Sequence, residues 1–140
     1  RIFEMLKVAD ERFPVLIHPS AIVGKAKFGP GAVVFANVTI SSTAVLERHT
    51  MALPCSVINH HCRIGEFTCL ASNVGVSGSV NIGRCCYLGT GSCLREGISI
   101  GSCCLVGMGA VVLQNFGPGR VIVGNPGREL RVHRDFPEGG

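Results

Sequence analysis

An apolar residue recurs at every sixth position from residue 16 to residue 112 of this chain. An α-helix would repeat its apolar residues every three or four positions, and a half-buried strand would alternate every two. A six-residue period instead indicates short strands separated by turns and wound into a coil. We expect the whole set to point inward, with no break in register. It consists of Leu16, Ile22, Phe28, Val34, Ile40, Leu46, Ala52, Ile58, Ile64, Leu70, Val76, Ile82, Leu88, Leu94, Ile100, Val106 and Val112.

A second set, four residues after each aliphatic position, is mostly small, and Gly often follows the aliphatic residue directly. We interpret the pattern as a triangular prism in which three hexapeptides close one coil and aliphatic side chains stack on counterparts eighteen residues away. Between five and six coils, spaced by ~4.8 Å, would give a prism roughly 25–30 Å tall. The small residues would fill the corners: Ser20, Ala26, Ala32, Val38, Ala44, Thr50, Ser56, Cys62, Thr68, Val74, Val80, Cys86, Ser92, Ile98, Cys104, Ala110 and Phe116.

The repeat divides the chain into residues 1–15, 16–117 and 118–140. A short amphipathic helix or a linker is expected in the first segment, because its apolar residues have helical spacing. In the last segment, Arg120–Val123 is predicted to form a final strand. The polar tail beyond Arg128 is expected to fold over the end or a side of the prism, where it could cap the exposed last coil. The apolar residues of the first segment are Ile2, Met5, Leu6, Ala9 and Phe13.

The composition limits the classes of partner. Hydrophobic residues make up 46% of the chain and charged residues 16%, which excludes a disordered protein. The net charge is +4, but the basic residues form no long run, so nucleic-acid binding is not expected. A modest positive charge suits an anionic small ligand. We expect a cytoplasmic protein without membrane contact, because the chain has neither a run of roughly 18 apolar residues nor a signal-peptide pattern.

The chain has eight Cys residues. The absence of any C-x-x-C pair argues against a zinc site, and a reducing compartment would disfavour structural disulfides. Cys85 and Cys103 are eighteen residues apart, as are Cys86 and Cys104. We interpret these residues as ladders of small side chains and predict neither a metal nor a disulfide.

Three segments resemble those of a known family: residues 13–21 (FPVLIHPSA), 58–67 (INHHCRIGEF) and 121–128 (VIVGNPGR). Together with the hexapeptides they resemble the left-handed β-helix acyltransferases. The similarity is greatest to the group of sialic acid O-acetyltransferases and UDP-4-amino-sugar N-acetyltransferases. It extends from about Phe13 to Leu130. The resemblance implies an all-β, left-handed parallel β-helix that forms a homotrimer, with acetyl-CoA as co-substrate. In that family a Rossmann-type nucleotide-binding domain normally precedes the helix, and residues 1–15 do not provide one.

His60 is the candidate general base. It occupies the third position of its hexapeptide, where side chains leave the prism, and a histidine suits proton transfer near neutral pH. Gly78 lies one coil above it. The resemblance assigns the base to His60 and the oxyanion-binding amide to Gly78. The alternative from spacing alone is a solvated surface imidazole. The family usually has Asp or Glu directly after the base, whereas this chain has His61.

The resemblance also implies the residues that bind acetyl-CoA in a cleft between adjacent prisms. A family histidine that contacts the acyl group or substrate corresponds to Cys69. Arg120 and Arg128 could contact cofactor phosphates, although solubility explains exposed arginines equally well. His18 is expected in a turn and is a minor candidate for contact with the substrate. The remaining cofactor candidates are Gly78, Thr90, Ser99 and Met108.

The sequence therefore predicts an acetyl-CoA-dependent acyltransferase acting on an amino or hydroxyl group of a sugar or sugar nucleotide. One alternative is a weakened or inactive β-helix scaffold, given His61 and Cys69. Another is a γ-class carbonic anhydrase, whose zinc requires three convergent histidines. The histidine pattern does not supply such a set, and no metal is predicted.

Overall fold

The computed structural model describes residue 5 and residues 7–132, and nearly all of them wind into a left-handed parallel β-helix of about six coils. The predicted fold class is confirmed. Each coil places one short strand on each of three faces, and strands on successive coils pair in parallel. We number the strands in chain order.

Face A contains β1 (Leu16–Ile17), β4 (Val33–Val34), β7 (Met51–Ala52), β10 (Cys69–Leu70), β13 (Tyr87–Leu88), β16 (Leu105–Val106), β18 (Arg120–Val123) and β19 (Arg128–Val132). Face B contains β2 (Ile22–Val23), β5 (Thr39–Ile40), β8 (Val57–Ile58), β11 (Gly75–Val76), β14 (Cys93–Leu94) and β17 (Val111–Val112). Face C contains β3 (Lys27–Phe28), β6 (Val45–Leu46), β9 (Arg63–Ile64), β12 (Asn81–Ile82) and β15 (Ser99–Ile100). Corners A/B, B/C and C/A join these faces.

The core is one continuous column of aliphatic side chains. From β4 to β17 the second residue of each strand points inward and is buried, as Ile58, Ile82 and Leu88 illustrate. From Ala32 to Ala110 the small corner residues are buried as well. The Ser56 and Thr68 hydroxyls bond to the next coil, whereas the Ser92 hydroxyl has no partner within the described residues. The hydroxyl of Ser56 donates to the Ala71 carbonyl at 2.8 Å. Buried hydroxyls with such partners fill a tight corner without leaving an unsatisfied polar group.

The predicted register is wrong in the first coil. β1 pairs Ile17, not Leu16, with Val34, and β2 pairs Val23, not Ile22, with Ile40. Leu16 is therefore 55% exposed and Ile22 69% exposed. The chain takes five residues from Val23 to Phe28 instead of six, and the eighteen-residue register begins with Phe28 opposite Leu46.

The shortened turn of the first coil passes very close to the coil above it. A Cβ at Gly24 would lie 2.9 Å from the Ser42 backbone. Only glycine fits this approach without displacing a neighbour, and Gly29 and Gly65 make the same close approach in the regular coils.

The last coil is also shorter than predicted. Phe116 does not occupy a corner: it forms a parallel bridge with Ile100, sixteen residues earlier, and is only 9% exposed. The chain reaches this inward position in four residues after Val112. A phenyl ring is too large for the tight corner site, whereas inside the last coil it covers the open end of the column.

The predicted last strand is present as β18, and β19 pairs antiparallel with it along the edge of face A. The tail thus covers the outer edge of β18 as far as Val132, and the rest of it lies outside the described residues. Within the predicted N-terminal helix, Ile2 and Leu6 also lie outside them, and Asp10–Arg12 form one 3-10 turn. No helix within the described residues is long and apolar enough to cross a membrane.

The register correction predicts unequal effects for two substitutions at sixth positions. Ile82→Ala should lower the free energy of unfolding by about 2–5 kcal/mol, because it removes a fully buried side chain. Ile22→Ala should change it by only about 0.5 kcal/mol, because Ile22 faces outward. Urea denaturation of both variants measures the difference. An equal loss of unfolding free energy in the two variants would support the unbroken register and contradict the pairing of Val23 with Ile40.

Candidate active site

Corner B/C brings His60, His61 and Gly78 together. His60 and His61 form the turn between β8 and β9, and both imidazoles are exposed. Backbone bonds hold this turn to both neighbouring coils. The His61 N–H donates to the Thr43 hydroxyl at 2.9 Å, and the Ser79 N–H donates to the His60 carbonyl at 2.8 Å. The imidazoles thus project from a turn whose backbone is held on both sides.

The His60 ring lies directly against Gly78. A Cβ at position 78 would lie 2.6 Å from His60 Nε2, so no other residue fits beneath the ring in this position. Gly78 is buried at a corner because the imidazole covers it. Its carbonyl accepts a hydrogen bond from Gly97 at 2.9 Å. Within the described residues its N–H donates to no partner, so one backbone donor remains available beside Nε2.

His60 and His61 are joined through their Nδ1 atoms, which are 3.1 Å apart. The rings meet edge to face, with centroids 5.2 Å apart. In such a contact one Nδ1 must carry a proton and donate the hydrogen bond, and the other Nδ1 must be unprotonated and accept that bond. When His60 is the donor, its Nε2 keeps a free lone pair. No carboxylate pairs with either imidazole in the part of the chain that the structure describes.

Cys69 lies away from this corner, in β10 on face A, between Met51 and Tyr87. Its side chain is half-buried, and burial raises the pKa of the Cys69 thiol. The sulfur therefore stays protonated at neutral pH, which argues against a nucleophilic role.

The other predicted cofactor residues occupy three further places. Thr90 and Met108 are stacked at corner A/B, and Met108 is 79% exposed. Ser99 faces outward from β15 on face C, where its N–H bonds Asn115 at 2.8 Å. Arg128 opens β19 and bonds the Gly127 carbonyl, while the Arg120 guanidinium is paired with Glu129 at 2.9 Å.

His18 lies in the first coil, far along the prism from His60, and its Nδ1 is 2.9 Å from the Ser20 hydroxyl. One copy of the chain therefore brings together only His60, His61 and Gly78. The remaining candidates could reach a common ligand only if another copy contributed some of them.

The sequence did not predict the cavity that lies near the two histidines. A cavity of about 270 Å³, one coil below them, is lined by Lys25, Lys27, Ser42, Thr43, Ala44 and Val45. The spacing of eighteen residues between Thr43 and His61 could have placed it. The same spacing places Lys27 opposite Val45, whereas Lys25 lies in the shortened turn of the first coil, which departs from that spacing. Within the described residues no group of three or more His, Cys, Asp or Glu is arranged to hold a metal ion.

The chain is similar to known sugar acetyltransferases, although no protein-family profile matches it. The curated GDP-perosamine N-acetyltransferase of Escherichia coli O157:H7 is 33% identical over 86 residues, which is 60% of this chain and 39% of that protein. The acetyltransferase domain of PglB from Neisseria gonorrhoeae is 33% identical with a TM-score of 0.83. That match covers 84% of this chain and 58% of the other, and PglB also has a structure in complex with acetyl coenzyme A.

PerB from Caulobacter crescentus, solved in complex with CoA and GDP-perosamine, is 29% identical with a TM-score of 0.83. That match covers 84% of this chain and 57% of PerB. The chain thus spans less than two thirds of these relatives. The similarities confirm the resemblance to the hexapeptide-repeat sugar acetyltransferases.

The contact between His60 and Gly78 can be tested by adding a single methyl group. Gly78→Ala should displace the His60 ring and break its Nδ1 contact with His61, because the new Cβ would overlap the imidazole. Gly75→Ala is the matched control, since its Cβ would meet only the Cys93 sulfur, at 3.5 Å. Crystal structures of both variants report the ring positions. An unmoved His60 ring in Gly78→Ala would contradict the contact.

Proposed function

We propose that the chain is an acetyl-CoA-dependent acyltransferase that transfers an acetyl group to an amino group of a sugar nucleotide, with His60 as general base. The observation that carries the proposal is the exposed His60 imidazole against Gly78, whose N–H has no partner within the described residues. The names and bound ligands of PglB and PerB support this donor and acceptor. A hydroxyl acceptor would need the same base. A cytoplasmic location belongs to the same proposal.

The reaction needs one proton acceptor and one oxyanion donor. His60 Nε2 takes a proton from the amine as its nitrogen attacks the thioester carbonyl. The carbonyl oxygen becomes negatively charged, and the Gly78 N–H is placed to donate to it. When the tetrahedral intermediate collapses, the C–S bond breaks and the thiolate of CoA takes the proton from the imidazolium. The products are the acetylated amine and free CoA.

His61 is the positioning residue in this proposal. Accepting a hydrogen bond from His60 Nδ1 would hold the imidazole in the tautomer that leaves Nε2 free. A neutral imidazole does not offset the charge of the imidazolium as a carboxylate would. The substitution of His61 for the family's Asp or Glu therefore favours a slower enzyme, and it is the observation behind the alternative of a weakened or inactive scaffold.

A homotrimer would supply the remaining residues. The outward positions of face A carry Val33, Met51, Cys69, Tyr87 and Leu105, and those of face B include Val57, Cys93 and Val111. The outward positions of face C are mostly polar: Lys27, Val45, Arg63, Asn81 and Ser99. Burial of two apolar faces against neighbouring copies is favourable, and three-fold closure would satisfy every copy equally.

Corner A/B lies between the two apolar faces, so a trimer would draw Thr90 and Met108 into the contact between copies. We propose that these two residues, with Cys69, Ser99 and Arg128, bind acetyl-CoA beside the His60 of a neighbouring copy. His18 keeps its proposed contact with the acceptor.

Substitution of the two histidines tests the chemistry. His60→Ala should lower kcat by about 10²–10⁴-fold with a sugar-nucleotide amine, because it removes the base. His61→Asp should raise kcat and move the acid limb of the pH–rate profile to higher pH, because a carboxylate stabilises the imidazolium. Release of the CoA thiol measures both rates.

Acetyl-CoA binding by calorimetry is the control, since His60→Ala should still bind the co-substrate. A wild-type chain that binds no acetyl-CoA would favour the scaffold. An unchanged rate in His60→Ala would remove His60 from the mechanism while leaving the activity in place.

Sedimentation equilibrium tests the assembly, and the wild-type chain should sediment with three times its own mass. Tyr87→Arg should dissociate the trimer, because it places a charge on apolar face A. Asn81→Arg on face C is the matched control and should leave the trimer intact. A wild-type monomer, or dissociation by the face C variant alone, would contradict the proposed contact.

A further inference from the structure

Corner C/A aligns a column of outward side chains on successive coils: His49, Phe67, Cys85 and Cys103. Each residue has a left-handed backbone, with φ between 54° and 59°. The His49 and Phe67 rings stack with centroids 5.0 Å apart and an interplanar angle of 12°. His49 and Phe67 therefore leave the prism in parallel and contact each other across one coil. The same geometry places the Cys85 and Cys103 thiols side by side.

At Cys85 and Cys103 the backbone keeps the hydrogen bonds that join successive coils. The Cys85 N–H donates to the Glu66 backbone carbonyl at 2.7 Å, and the Cys103 N–H donates to the Arg84 backbone carbonyl at 2.8 Å. Neighbouring parallel strands are about 4.8 Å apart, and disulfide-bonded residues have Cα separations of roughly 4.4–6.8 Å. The Cys85 thiol is close enough to Cys103 to contribute to the raised pKa of the Cys103 thiol.

The two thiols of this corner differ in their surroundings. Cys85 is exposed, and a hydrogen bond with it raises the pKa of the Arg84 guanidinium. A small oxidant in solvent can therefore reach the Cys85 sulfur. Cys103 is half-buried, and burial raises the pKa of its thiol. One sulfur is thus open to solvent beside a cation, and a second is held next to it.

We propose that Cys85 and Cys103 form an oxidation site that a peroxide closes into a disulfide between adjacent coils. Cys85 attacks the peroxide, the O–O bond breaks, and a sulfenic acid and water form. The Cys103 sulfur then attacks the sulfenic sulfur, the S–S bond forms and the hydroxyl leaves as a second water. Two thiols lose two electrons and two protons in total, and one hydrogen peroxide becomes two waters. A small dithiol reductant reduces the disulfide back to the two thiols.

Other cysteine pairs are less suited to this chemistry. Cys86 and Cys104 also stack, but each is only 2% exposed inside the prism, and the Cys86 thiol donates to Gly101 at 3.1 Å. Cys85 and its chain neighbour Cys86 lie on opposite sides of the wall and cannot pair with each other.

Cys55 and Cys93 are exposed but have no thiol one coil away. Cys93 lies between Gly75 and Val111 on face B. These two residues therefore serve as controls for accessible thiols that lack a partner.

The test is peptide mapping of the whole chain after treatment with hydrogen peroxide. Remaining thiols are alkylated, and trypsin then cleaves after Arg84, Arg95 and Arg120. A Cys85–Cys103 disulfide joins peptide 85–95 to peptide 96–120, and fragmentation of the joined species locates the two sulfurs. We expect this species in the wild-type chain and in Cys93→Ser, its loss in Cys85→Ser and Cys103→Ser, and its disappearance after reduction.

Two results would overturn the proposal. Persistence of the joined peptides in both Cys85→Ser and Cys103→Ser would assign the bond to the interior pair. Conversion of Cys85 to a sulfinic or sulfonic acid, with Cys103 still open to alkylation, would show that the two thiols do not react together. The wild-type fragmentation decides between these results even if a variant fails to fold.

Discussion

Backbone hydrogen bonds between successive coils determine the position of each outward side chain on the prism. Each strand from β1 to β17 is only two residues long, so its position depends on the neighbouring coils. The aliphatic column supplies the burial that holds those coils in register. Because the repeat is eighteen residues over most of the chain, residues far apart in sequence become direct neighbours. The contacts of His60 with Gly78, of His49 with Phe67 and of Cys85 with Cys103 all follow from this one constraint.

The candidate site exploits the close spacing of the coils. A side chain on one coil normally contacts a side chain on the next. Because position 78 is glycine, the His60 ring contacts backbone there instead. The imidazole and a free N–H can then lie together at an exposed corner. The arrangement provides a base and an oxyanion donor, but the residues proposed to bind acetyl-CoA lie on other faces and corners of one prism. The proposed function therefore depends on assembly, and the apolar character of faces A and B is the structural support for it.

Much of the fold could be predicted because the period alone excludes a helix and an ordinary strand. The errors lie at the two ends. In the first coil Leu16 and Ile17 are both aliphatic, as are Ile22 and Val23, so hydrophobicity could not decide which one points inward. The backbone pairing of β1 with β4 and of β2 with β5 decided it. At the other end, Phe116 follows the six-residue count but is too large for a corner, and packing moved it into the column.

The sequence by itself determined the prism, the stacking of residues eighteen apart and the proximity of His60 to Gly78, because these depend on a regular period and on backbone geometry. Only the tertiary structure decided the register of the first and last coils, the Nδ1 contact between His60 and His61, and the burial of Gly78 beneath the ring. It also separated Cys69, Thr90 and Ser99 onto face A, corner A/B and face C, and placed Arg128 in the last strand of face A. Those features depend on rotamers, side-chain volume and turn length, and a period does not encode them.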